Sequence, residues 1–225
     1  MKRRLVVGVS GASGAPLAKN LTLLILLSGC AWQDIKKKKV LVWPILMAGG
    51  IGICIELLQQ LKYRPEVETH LILTKGGEMT LHQETGMSTE EFQELADVVH
   101  DNANIGAAPA SGSWKSMGMI VCPCSMKTVA GIVSGYSDNL LLRTADCMLK
   151  ERRKLVLVAR ESPLSTLHLE NLCKASQYGA VILPPMQTYY NHPASVAEMT
   201  RHTVNRILSQ FDLDEESYEW EGMNL

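Results

Sequence analysis

Leu5-Val-Val-Gly-Val-Ser10-Gly11-Ala12-Ser13-Gly14 stands almost at the start of the chain. An apolar run of strand formers passes directly into small residues. That order reads as a buried strand, a tight glycine-rich turn and then a helix. Pro16 suits the first helical turn, where its missing N–H costs nothing. Small side chains let an anion approach the backbone, and the hydroxyls of Ser10 and Ser13 add donors. The helix that follows aims the positive end of its dipole at the turn. The first two glycines, Gly8 and Gly11, are three apart, which is not the dinucleotide-binding spacing. By itself the segment reads equally as a structural turn.

Outward from this segment the alternation repeats. Apolar, β-rich runs lie at Val67–Leu73, Met117–Val121, Leu155–Val158 and Ala180–Leu183. Helical patterns lie at Thr89–His100, Asn139–Arg152, Leu164–Ser176 and Ser195–Phe211, the first with Ser88 as its N-cap. Strands alternating with helices predict an α/β fold, with a mostly parallel sheet flanked by helices and ligands beyond the carboxyl ends of its strands.

Composition narrows the function. The 225 residues are 46% apolar, enough for one well-filled core, and Lys+Arg 22 against Asp+Glu 23 leaves a net charge of −1. No basic excess drives nucleic-acid or membrane-surface binding. The six cysteines contain no CxxC pair, and no histidine cluster completes a metal site, so they read as reduced thiols and no metal is expected. Leu21–Leu27 is too short to span a bilayer, and Val40–Ile55 is interrupted by Pro44 and Gly49-Gly50. A strand beginning at residue 4 or 5 leaves no room for a presequence, so the expected compartment is the cytoplasm, with the mitochondrion as the alternative. The acidic tail from Asp212 reads as a surface arm or an oligomer contact.

Further segments carry chemistry. Thr74-Lys75 closes the second strong strand, where a hydroxyl meets either a phosphate or a helix N-terminus. Pro109–Ser113 is a loop with two hydroxyls. After Cys122-Pro-Cys124, Ser125 and Thr128 open a helix and offer a second anion site. Two such sites in one sheet suggest a phosphorylated ligand. Arg143 and Lys150 are seven apart and share a helix face. Arg160 and Glu161 follow a strand's carboxyl end. His168 and Glu170 are acid–base candidates, although a mid-helix His168 reads more readily as structural. Tyr189 and Tyr190 lie in a proline-bounded loop suited to a lid.

Together these segments resemble the UbiX/Pad flavin prenyltransferase family, whose members also go by the names phenylacrylic and hydroxyarylic acid decarboxylase. The resemblance rests on GVSGASGAP (8–16), TK (74–75), QET (83–85), PASGS (109–113), CPCSMKTVAGI (122–132), the long block 136–171 and VILPPMQTYYNHP (181–193). It implies a flavodoxin-like/Rossmann-type, three-layer α/β/α domain, assembled as a homododecamer with sites at subunit interfaces. The implied reaction moves a dimethylallyl group from dimethylallyl phosphate to N5 and C6 of reduced FMN. The product, prenylated FMN, serves UbiD-type decarboxylases. Matched by motif, Gly11, Ala12, Ser13, Thr74, Ser125, Met126, Lys127, Thr128, Arg143 and Arg160 would bind FMN. Ser111, Lys150, Tyr190 and Arg206 would bind the prenyl phosphate, and Glu84, Ser13, Lys150 and Glu161 would act in catalysis. Two positions depart from the pattern: Ala159 replaces a frequent Pro, and Ile105 replaces a Trp found in some bacterial members. The alternatives are an FMN-dependent phenylacrylic acid decarboxylase and a non-catalytic flavin-binding subunit.

One stretch fits none of this. Lys19–Cys54 carries no family motif, and Ala18 would join naturally to Ile55. The domain reading is therefore residues 1–211 with an atypical insertion at 19–54, followed by a tail at 212–225. The insertion is either a translated intron or a functional addition, and the non-catalytic alternative is the case in which it inactivates the chain.

Overall fold

The computed structural model describes residues 2–11, 50–213 and 222. Six strands are described: β1 (Arg3–Val9), β2 (Val67–Leu73), β3 (Val98–Asp101), β4 (Gly118–Cys124), β5 (Lys154–Ala159) and β6 (Val181–Ile182). They form one sheet of order β3-β2-β1-β4-β5-β6, and every described pairing is parallel. The helices are α1 (Gly50–Lys62), α2 (Lys75–Thr85), α3 (Thr89–Gln93), α4 (Met126–Ser134), α5 (Leu140–Lys150), α6 (Thr166–Gln177) and α7 (Val196–Leu208). The architecture is the three-layer, flavodoxin-like/Rossmann-type α/β/α fold.

Alternation along β1 divides the core. Leu5, Val7 and Val9 face α1 and α7 in one apolar cluster with Leu57, Leu58, Val204 and Ile207. Val6 faces the other layer, with Val129, Leu141, Ala145 and Met148 of α4 and α5. Both faces of β1 are buried because helices cover both, as a central parallel strand requires. The strand order reverses between β1 and β4, so the crevice at their carboxyl ends is the place for a ligand. Among the described residues, no helix is long and apolar enough to cross a membrane.

Helix starts carry hydroxyl or amide caps, of which Ser88 was the one read from the sequence for these four helices. Ser88, Asn139, Ser165 and Ser195 each accept a backbone N–H from the first turn. His168 completes the Ser165 capping box by accepting the Ser165 N–H at Nδ1, 3.3 Å away, which is a structural role.

The helix expected over Thr89–His100 is corrected. α3 ends at Gln93, and Val98–Asp101 is the edge strand β3. Tertiary bonds override the amphipathic pattern. Asp97 accepts from both the backbone N–H and the hydroxyl of Thr69, at 2.8 and 2.9 Å, and its own N–H donates to Thr69 Oγ1 at 2.9 Å. With Asp97 clamped to β2, the β-branched pair Val98-Val99 continues as a neighbouring strand.

Of the stretch 19–54, only Gly50–Cys54 are described. They are the first turn and more of α1, where Ile51 and Cys54 are fully buried. The rest of the stretch, and most of the tail, lie outside the described residues.

β2 and β3 are also joined by a histidine pair. His70 Nδ1 lies 2.9 Å from His100 Nε2, and His70 Nε2 lies 2.9 Å from Glu68 Oε1. Burial, reinforced by the neighbouring His70, holds the His100 imidazole below its ordinary pKa. The unfolded chain therefore takes up that proton first on acidification. Stability from this site is complete above the ordinary histidine pKa of about 6.5 and is lost as pH falls below it. Melting temperatures measured between pH 8 and pH 5 are expected to fall by a few degrees, and His100→Phe is expected to flatten that part of the profile. An unchanged slope in the variant would refute the assignment.

Candidate active site

Four strand ends converge where the sheet order reverses. Ser10, 3% exposed, follows β1. Its N–H donates to the Pro123 carbonyl at 3.1 Å, and its hydroxyl donates to the same carbonyl at 3.2 Å. Ser10 Oγ also accepts the Ser125 N–H at 2.9 Å. Ser125 in turn caps α4: its Oγ accepts the Thr128 N–H at 3.3 Å and lies 3.1 Å from Thr128 Oγ1. These bonds occupy the Ser125 and Thr128 N–H groups. Met126 and Lys127 keep the outward-facing donors of the first turn.

The α2 end is built alike. Thr74 N–H donates to Val9 O at 3.0 Å, and Thr74 Oγ1 accepts the Gly77 N–H at 3.1 Å. Lys75 and Gly76 are left as the open donors. Gly11 packs against this turn so closely that a Cβ there would stand 2.4 Å from Gly76 O, so only glycine fits. Two helix N-termini thus flank the β1 loop.

Arg160 supplies the charge. Its N–H donates to Cys124 O at 3.2 Å, which seats it at the end of β5. Its Nη2 is buried and has no hydrogen-bond partner among the described residues. A buried guanidinium N–H calls for an acceptor, and an anion is the acceptor that also balances its charge. The residues therefore fit a phosphate-bearing ligand such as FMN. Below the site, contact with Cys54 and burial push the Cys122 thiol well up, and burial does the same to Cys124, so neither serves as a thiolate nucleophile. Among the described residues, no cluster of His, Cys, Asp and Glu could hold a metal ion.

The structure thus brings together Gly11, Thr74, Ser125, Met126, Lys127, Thr128 and Arg160. Ala12 and Ser13 lie outside the described residues. A second group gathers elsewhere. Lys150 Nζ lies 2.5 Å from Glu151 Oε1, and both abut Gly112, next to Ser111. The Glu151 contact keeps Lys150 firmly cationic. Arg153 clamps this loop by donating to Gly112 O at 2.6 Å and to Trp114 O at 2.7 Å.

α5 starts beside Asn102, just past the carboxyl end of β3, and runs to Lys150 at the opposite end of its layer. Glu84 is buried in the last turn of α2, about 15 Å along the axis from Thr74 by helical rise. Within one protomer, Glu84, Ser111 and Lys150 therefore stand apart from the Ser125–Arg160 group. Arg143 pairs with Asp146 on its own helix, at 2.6 Å. Glu161, Tyr190 and Arg206 are exposed. A cavity of about 770 Å³ opens at the amino ends of β1 and β4, between Arg3, Arg4, Ser111, Trp114 and Lys115. It shares only Ser111 with the expected site residues, and the donor chemistry lies at the other end of the sheet.

The sequence named Ser10 only as one donor among several. The signal that points further is a hydroxyl placed immediately after a strand whose last five residues are buried. What it holds depends on Pro123 and Ser125, more than a hundred residues away.

Comparison with known proteins gives the family and the same fold. The flavoprotein family model matches residues 31–210. The chain is 46% identical over 183 residues to a probable UbiX-like flavin prenyltransferase of Sedimentibacter hydroxybenzoicus, covering 81% of this chain and 97% of that protein. It is 44% identical over 187 residues to the flavin prenyltransferase UbiX of Escherichia coli K12, covering 82% of this chain and 99% of that one. The crystal structure of AnUbiX (PadA1) in complex with FMN and dimethylallyl pyrophosphate superposes with a TM-score of 0.80 at 39% identity, covering 100% of both chains. A dodecameric FMN-dependent UbiX-like decarboxylase from Escherichia coli O157:H7 gives 0.78 at 41%, covering 97% of this chain and 100% of that one. On these grounds the chain belongs to the flavoprotein family and, within it, to the UbiX-like flavin prenyltransferases.

Proposed function

We propose that this protein transfers the dimethylallyl group of dimethylallyl phosphate to reduced FMN, making prenylated FMN for a UbiD-type decarboxylase. The observation that carries the reading is the pair of helix N-termini facing one crevice, with Arg160 Nη2, which has no partner among the described residues, beside them. Reduced flavin, once bound, supplies the nucleophilic ring positions N5 and C6. The chain's residues do the rest. Lys75, Gly76, Met126 and Lys127 offer backbone donors, and Arg160 offers a guanidinium, so a phosphate monoester is held by charge-assisted bonds. Gly11 keeps the β1 loop thin enough for a planar ring to lie against backbone.

The departing phosphate of the prenyl donor needs cations that gain strength as its charge develops. Lys150, Arg143 and Arg206, with the Tyr190 hydroxyl, fill that role, and Glu84 moves the proton lost as the new ring closes. Ser111 and Lys150 sit at the far end of one protomer's helical layer. We infer that neighbouring copies bring them to the flavin crevice in a homododecamer, the assembly named for the Escherichia coli O157:H7 structure.

The test is anaerobic incubation of the purified protein with reduced FMN and dimethylallyl phosphate, followed by mass spectrometry of the flavin. One added dimethylallyl group per FMN is the expected result. An unmodified flavin, or CO2 release from a phenylacrylic acid by the protein alone, would overturn the reading.

A further inference from the structure

We propose that Ser10 is the positioning residue that sets the geometry of the second anion loop, Ser125–Thr128. This rests on the functional reading for its catalytic consequence, but its structural part stands independently. Ser10 is neither in the glycine turn proper nor a group that faces the crevice; it is almost wholly buried at the end of β1. Its hydroxyl proton goes to Pro123 O, and its Oγ accepts the Ser125 N–H at 2.9 Å. One oxygen thereby fixes both Pro123, the penultimate residue of β4, and Ser125, which caps α4. Ser125 Oγ, held in this way, captures the Thr128 N–H. The first turn of α4 is then oriented so that the Met126 and Lys127 N–H groups face the crevice.

Removing the hydroxyl leaves the fold joined. The Ser10 backbone N–H still donates to Pro123 O at 3.1 Å, and the β1–β4 ladder from Leu5 to Gly8 is untouched. What is lost is the acceptor for Ser125 N–H, so the cap loosens. Ser10→Ala should therefore act on the loop rather than on the whole domain, and Ser10→Thr, which keeps the hydroxyl, should restore it.

Two measurements separate the parts. In ligand-free protein, amide hydrogen exchange at Ser125–Thr128 is expected to rise about tenfold in Ser10→Ala, the scale of one lost hydrogen bond, and to return in Ser10→Thr. FMN affinity, read by flavin fluorescence, is expected to weaken by a similar factor and to recover likewise. Thr69→Val is the control. It removes an equally buried hydroxyl that ties β2 to Asp97, away from the crevice, and is expected to leave both readouts unchanged. Unaltered exchange in Ser10→Ala, or an equal response in Thr69→Val, overturns the proposal. If exchange responds but the wild-type protein binds no FMN, the positioning role stands and the functional reading falls.

Discussion

Arg160→Ala is expected to weaken FMN binding about a hundredfold while leaving the melting temperature of the ligand-free protein unchanged or slightly raised. The two halves of that expectation come from one atom. Nη2 is buried without an acceptor among the described residues, so in the ligand-free protein it carries a desolvation cost that nothing described offsets. Truncation removes that cost. With a phosphate bound, the same group makes a charge-assisted hydrogen bond, and losing one of these costs roughly 1.5–3 kcal/mol, or ten- to more than a hundredfold in affinity. Arg160→Lys should recover only part of the loss, because an ammonium lacks the planar fork that pairs with two phosphate oxygens at once. Fluorescence titration and thermal melts on the same samples give both numbers. An Arg160→Ala protein that binds FMN normally would remove Arg160 from the site, and one that melts far lower would make it a structural residue.

Deleting residues 19–54 is expected to lower the melting temperature by about 5–15 °C, whereas deleting 17–49 is expected to leave it at or above that of the full chain. Both deletions remove residues 19–49, with the Lys36–Lys39 run. They differ at the start of α1. Gly50–Cys54 belong to that helix, and Ile51 and Cys54 are fully buried in the cluster that also holds Leu5 and Val9. Losing one large buried aliphatic side chain costs about 2–5 kcal/mol, and each kcal/mol moves the melting temperature by about 2–4 °C at this size. The relatives fit the economical deletion as well: 97% of the Sedimentibacter protein is matched by 81% of this chain. Prenyl transfer by the 17–49 deletion at or above the full chain's rate would mark the segment as dispensable. Equal behaviour of the two deletions would refute the assignment of Gly50–Cys54 to the core.

Much of this protein was legible before any coordinates. β2 was read at Val67–Leu73, the bounds it has in the structure, because its strand formers Val67, Thr69, Leu71 and Ile72 lie between Pro65 and Gly76-Gly77 in a run too short for a helix. α5 to α7 begin within two residues of the starts expected for them, behind the caps Asn139, Ser165 and Ser195, since capping is a local bond between a side chain and its own first turn. The edge strand β3 was not legible. Asp97-Val-Val-His100 continues an amphipathic helical pattern, and only Thr69, on a strand twenty-eight residues earlier, clamps Asp97 out of it.

The site divides in the same way. Sequence alone determined which residues could meet an anion: small residues after β1, Thr74 and Ser125 at helix starts, Arg160 after a strand. Each is a statement about a few consecutive residues, and local chemistry suffices for it. The tertiary structure alone decided that Ser10 reaches across 115 positions to hold Ser125, that Arg160 Nη2 is left without a described partner, and that Glu84 and Lys150 stand away from the crevice of their own protomer. These follow from the crossover that sets β4 beside β1 and from the length of the helices between strands. No local period in the sequence encodes either one.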